Sequence, residues 1–198
     1  MASLLVRLLI GLSLVANPLQ GDGGRQVVPA APVLASAVLT PESNPPVWLL
    51  VTGGVLPPAY GYDRNWTPEQ LLYANLTVQL ACNIHMPGAD LVALVTQLQE
   101  SDLTNLPDLG ARNDHDSLGL FQQRPSQGWG TPEQVQDPVY ANLKFFEELR
   151  QVSGWQNLPL TVAAQAVQRS AFPDAYAKHE SAARALARFM HAEVVPDC

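Results

Sequence analysis

Cysteine is nearly missing from this chain, with two in 198 residues, Cys82 and Cys198. That count cannot build a cysteine zinc clamp. The four histidines, His85, His115, His179 and His191, do not supply one either. No His-Glu-x-x-His spacing occurs, and His179-Glu180 lacks its second histidine, so neither a metal nor another cofactor is expected. The chain has no Gly-x-x-x-x-Gly-Lys loop to cradle phosphate and no Gly-x-Ser-x-Gly elbow to carry a serine nucleophile. Cationic side chains are scarce: 11 Lys and Arg stand against 18 Asp and Glu, a net charge of −7. That balance argues against nucleic acid or an anionic membrane surface as a partner. Cys82 lies in an apolar pattern with nothing polar beside it to lower its pKa, which argues against a cysteine nucleophile.

Long apolar runs are missing too. Leu8–Ala16 is too short to span a bilayer comfortably. Behind Met1–Arg7, which carries one positive charge, it has the form of an export signal. Ala35-Ser36-Ala37 has the small-residue cleavage form but lies far downstream; after Ala16, Leu14 occupies the minus-three position. Residues 1–37 are therefore expected to be a signal peptide or N-terminal anchor. Eight prolines within residues 18–58 fix φ and remove donors, so residues 38–66 are expected to be a Pro-rich linker. The folded domain is expected over 67–198, in a secreted monomer that meets a membrane only through an uncleaved N-terminus. An even cysteine count in an exported chain favours a Cys82–Cys198 disulfide. Closing so long a loop stabilises by about 4–5 kcal/mol in the chain-entropy model.

Within 67–198 the periodicity is mainly helical. Thr67-Pro68-Glu69-Gln70 has capping-box form, with Pro at the first helical position. Asn75 to Ile84 alternates like a strand, while Leu72, Leu76, Leu80 and Ile84 recur every four residues; the cap favours a helix. A second helix is expected from Ala89 to Glu100 with Leu91, Val95 and Leu98 on one face, so that Glu100 points away from that stripe. Thr131-Pro132-Glu133-Gln134 repeats the capping box. Asp137-Pro138 opens a helix lined by Val139, Leu143, Phe146 and Leu149. Thr161 is expected to cap an alanine-rich helix. Pro173-Asp174 is expected to open the last one, with Ala182, Leu186, Phe189 and Met190 inward.

Between these patterns lies Asp114 to Pro138, rich in hydrogen-bonding side chains and in glycine: Ser117, Gly119, Gln122, Gln123, Arg124, Gly128, Trp129 and Gly130. Such loops supply little core and are where sites are built. Glu100-Ser101 at a helix end, followed by Ser117-Leu118-Gly119-Leu120-Phe121-Gln122, resembles the soluble lytic transglycosylases of the lysozyme-like superfamily. Asp137-Pro138 and the alanine-rich helix at 162–168 fit the same pattern, and the resemblance covers roughly residues 88–178. The longer block Asp-Ser-Leu-Gly-Leu-Phe-Gln-Gln-Arg-Pro-Ser-Gln-Gly-Trp-Gly-Thr resembles a group of secreted actinobacterial proteins.

The resemblance implies a lysozyme-like helical domain that cleaves the glycan strands of peptidoglycan, by hydrolysis or by transglycosylation. Glu100 would serve as the single general acid and then base. Such chemistry needs a carboxylic acid still protonated near neutral pH, and partial burial shifts a glutamate that way. Ser117, Gln122, Gln123 and Gln168 would hydrogen-bond sugar, and Trp129 would stack on a sugar face. Asp116 is a possible second carboxylate, and Asp114 has the same option; either can equally cap the turn. Arg124 and Arg169 are expected to bridge loop groups rather than touch substrate. Gln165 and Gln168 fall where the transglycosylases carry a Tyr-Asn pair. That substitution favours an alternative, a catalytically inactive module that only binds wall glycan.

Overall fold

The computed structural model describes residues 64–113, 115–170 and 174–195, with Ala111 described by its backbone only. The expected signal segment and nearly all of the expected linker lie outside these residues, as do Asp114, Pro173 and Cys198. The described residues belong to the unit Thr40–Cys198. They form six α-helices joined by short 3-10 turns, with no named strand among them.

Local chemistry starts most of these helices. Helix α1 (Pro68–Asn83) begins at a complete capping box: Thr67 Oγ1 accepts from Gln70 N, and Gln70 Oε1 accepts from Thr67 N. Helix α3 (Pro132–Gln136) repeats it with Thr131 and Gln134. In α4 (Pro138–Gln151), Asp137 accepts from the Val139 and Tyr140 amides. Two expected starts are displaced. Helix α5 (Leu160–Gln168) is capped from Pro159, so Thr161 sits inside its first turn. Helix α6 (Glu180–Phe189) begins later than Asp174, after a 3-10 turn at Ala177–His179.

Helix α2 (Ala89–Glu100) is the axis of the body, packing against α1, α4, α5 and α6. It is buried from Val92 to Leu98, so the expected single stripe is too narrow. A helix apolar on nearly every side belongs inside a core. Each fully buried leucine or valine here contributes on the order of 1.5–3 kcal/mol relative to exposure. On α1 the buried stripe runs through Leu71, Ala74, Val78 and Ala81, not through Leu72 and Leu80. The reason is polar. Thr77, Gln97 and Asn142 are fully buried, on α1, α2 and α4. Gln97 Nε2 donates to Thr77 Oγ1 and to Asn142 Oδ1, both at 3.0 Å, and Asn142 Nδ2 donates to Pro138 O at 2.8 Å. These bonds satisfy groups that would otherwise be costly to bury. They also fix the rotation of α1 against the other two helices.

On α4, Phe145 and Phe146 are both buried while Leu143 is half-buried. Phe145 stacks on Phe121 with ring centroids 4.6 Å apart, which pins the central loop to the core. The expected inward residues of the last helix are buried as read: Ala182, Leu186, Phe189 and Met190. No helix among the described residues is long and apolar enough to cross a membrane.

Candidate active site

Glu100 is the last residue of α2. Immediately beyond it the chain reverses through two consecutive non-glycine residues with positive φ, Asp102 (55°) and Leu103 (56°). L-residues enter that region at a cost of about 1–2 kcal/mol each. Contacts on both sides hold the turn. Leu103 is fully buried. Gln70 Nε2 donates to Asp102 O at 2.7 Å, and Arg64 Nη2 donates to Asp102 Oδ2 at 2.6 Å. The helix end carrying Glu100 is thereby clamped to the start of α1.

The loop opposite is held as firmly. Leu118 and Gln123 exchange two backbone hydrogen bonds of 3.1 Å. Gly119, at the turn between them, has φ +72°, and a Cβ there would lie 2.3 Å from Val135 O. Only glycine fits that approach. Ser101 Oγ donates to Leu120 O at 2.7 Å and Gln168 Nε2 donates to Phe121 O at 2.7 Å. The ends of α2 and α5 are therefore bolted to the same stretch of loop.

Between them lies a cavity of about 610 Å³. Glu100, Ser117, Gln122, Gln123, Trp129 and Gln168, six residues drawn from the sequence as site candidates, all line it. Asp116 does not. Its carboxylate accepts from Arg124 Nε at 2.8 Å, Ser126 N at 2.7 Å and Ser126 Oγ at 2.9 Å. The Arg124 guanidinium first, then the Ser126 amide, hold it well below the usual carboxylate range. A carboxylate engaged this way serves as the loop's internal cap, which is the other role open to it from the sequence. Arg124 bridges to that carboxylate, as expected, although it also lines the cavity.

Burial pushes the Glu100 carboxyl above its ordinary value. Hydrogen bonds from Tyr176 and Gln168 pull the other way and do not cancel it. Tyr176 OH donates to Glu100 Oε1 at 2.8 Å. Tyr176 is itself fully buried, and burial together with the Glu100 charge raises its own pKa, keeping the phenol protonated and donating. The sequence reading missed this tyrosine. It lies 76 residues from Glu100 and outside any periodic stripe. No signal in the local pattern points to it.

The two loop glutamines differ. Gln122, at φ 47°, folds its amide back to donate to Gly119 O at 3.0 Å. Gln123 is 2 % exposed, and neither amide atom has a hydrogen-bond partner within the protein. Gln165 Nε2 donates to Ser170 O at 2.6 Å and so closes the end of α5, with Arg169 in a left-handed conformation as C-cap. Lys144, Glu148 and Arg169 also line the cavity, though the sequence had not marked the first two.

Cys82 is not a free thiol. The expected partner, Cys198, lies outside the described residues, and no disulfide pair lies wholly among them. The described residues hold no cluster of three or more His, Cys, Asp or Glu able to take a metal ion. The histidines are dispersed: His179 meets Gln99 and His191 meets Asp90. No protein-family model matches this sequence, and no curated protein matches it.

Proposed function

We propose that this protein is an exported, lysozyme-like enzyme that cleaves the glycan strands of peptidoglycan, with Glu100 as general acid. One observation carries the reading. The Glu100 carboxyl is desolvated, hydrogen-bonded by a buried phenol, and set in the wall of a cavity whose lining mixes amides and hydroxyls with charged side chains. Desolvation keeps more of the acid protonated near neutral pH, as protonation of a leaving glycosidic oxygen requires. The Tyr176 hydroxyl steadies the carboxylate left behind. Ser117, Gln122 and Gln168 offer partners for sugar hydroxyl and acetamido groups, and Trp129 offers an apolar face.

A second reading, a module that grips wall glycan without cutting it, draws support from glutamines at 165 and 168 where the transglycosylases carry Tyr-Asn. Tyr176 weighs against that reading by bringing a phenol to Glu100 from another part of the chain. Digestion of insoluble peptidoglycan, followed by mass analysis of the soluble products, separates the two. Products from the wild type that vanish in Glu100→Gln support the enzyme. Wall binding without soluble product in either protein would leave only the binding module.

A further inference from the structure

We infer that Glu148 is a second catalytic carboxylate, the base that activates water, so that the glycan is hydrolysed with inversion at the anomeric carbon. The inference rests on the glycan-cleaving reading above and settles which of its two outcomes follows. Among the described residues, Glu100 and Glu148 are the two carboxylates lining the cavity, and they come from different helices, the end of α2 and the last turn of α4. Their surroundings differ. Glu100 is desolvated and held by a phenol. Glu148 keeps a side chain 38 % exposed, open to water, with Oε1 3.0 Å from Lys144 Nζ, an ammonium that also lines the cavity.

Asp116 leaves this role vacant, since its carboxylate is turned into the loop.

In the proposed step Glu100 gives its proton to the glycosidic oxygen, and the bond from that oxygen to the anomeric carbon breaks with the electron pair going to oxygen. Water attacks the anomeric carbon from the opposite face while Glu148 takes its proton. The products are an alcohol on one fragment and an inverted hemiacetal on the other. Glu100 is left ionised and Glu148 protonated, and solvent returns the proton. Inverting glycosidases leave room between their carboxyls for this water, and both carboxyls here line one cavity of about 610 Å³.

The test is digestion of insoluble peptidoglycan by the full chain in ¹⁸O-water, with mass analysis of products and NMR of the freshly formed anomer. Reducing ends carrying ¹⁸O with inverted configuration are expected from the wild type. Glu148→Gln should lose about 100-fold in kcat with KM nearly unchanged, Glu148→Asp should recover part of it, and sodium azide should give Glu148→Gln an inverted glycosyl azide product. Anhydro-sugar ends from the wild type, retained configuration, or an unchanged kcat in Glu148→Gln would each overturn the inference while leaving glycan cleavage standing. No soluble product from the wild type would overturn both. Anhydro ends or retained configuration in the wild-type products overturn the inference even if a variant fails to fold.

Discussion

Gly119→Ala tests whether the loop that faces Glu100 is held as tightly as its geometry requires. Two costs apply. An L-residue at φ +72° loses about 1–2 kcal/mol. The new methyl would sit 2.3 Å from a backbone carbonyl oxygen, that of Val135, which cannot swing aside as a side chain would. Forcing a methyl group into a packed site adds about 1–3 kcal/mol. Stiffening of the unfolded chain returns about 0.4–1 kcal/mol. The net loss is about 1–5 kcal/mol, centred near 3, and for a domain of this size roughly 3–5 °C accompanies each kcal/mol. A fall in the thermal midpoint of about 10 °C is therefore expected by circular dichroism at 222 nm.

Gly128→Ala is the control. Its φ is +84°, yet nothing lies within 4 Å of the added Cβ, so only the conformational cost remains. If Gly119→Ala loses no more than Gly128→Ala, the close approach to Val135 is refuted. The claim that this loop is rigid would go with it.

Glu100→Gln should raise stability at neutral pH. A carboxyl whose folded pKa is raised contributes stability below its unfolded value, near 4.3, and loses it as pH rises through the folded value. Thermal midpoints of the two proteins should therefore converge below pH 4 and separate above it, and a constant gap would argue against desolvation as the cause. Asp116→Asn should leave glycan cleavage largely intact while speeding hydrogen exchange of the Ser126 amide; abolished cleavage with normal folding would restore Asp116 as a second carboxylate. Non-reducing gel mobility should change on reduction through a Cys82–Cys198 bond, and two titratable thiols in the native protein would remove that bond.

What the sequence disclosed follows the range of the interactions involved. Capping at Thr67, Thr131 and Asp137 is decided within three residues, and those helix starts are where the local pattern puts them. The Glu100 helix end and the Ser117–Trp129 loop were legible as a motif, and the fold brings both to one cavity. The buried face of α1 was not legible, because Thr77 is satisfied inside by Gln97, 20 residues away. Thr161 misled because Pro159, which offers no side-chain cap, already holds the chain extended before α5. Tyr176 and Glu148 were invisible for a similar reason. One reaches Glu100 across the whole domain, and the other is an ordinary helix-face charge until the fold aims that face at the cavity.

The central claim is that one carboxyl group holds its proton more strongly than an ordinary glutamate where substrate can reach it. The most direct measurement is a ¹³C NMR titration of the Glu100 side-chain carboxyl in the folded wild type, assigned by its absence in Glu100→Gln. A midpoint clearly above the ordinary glutamate value near 4.3, rising further in Tyr176→Phe as the phenol's hydrogen bond is lost, is the predicted result. A midpoint at or below that ordinary value, unmoved by Tyr176→Phe, would contradict it.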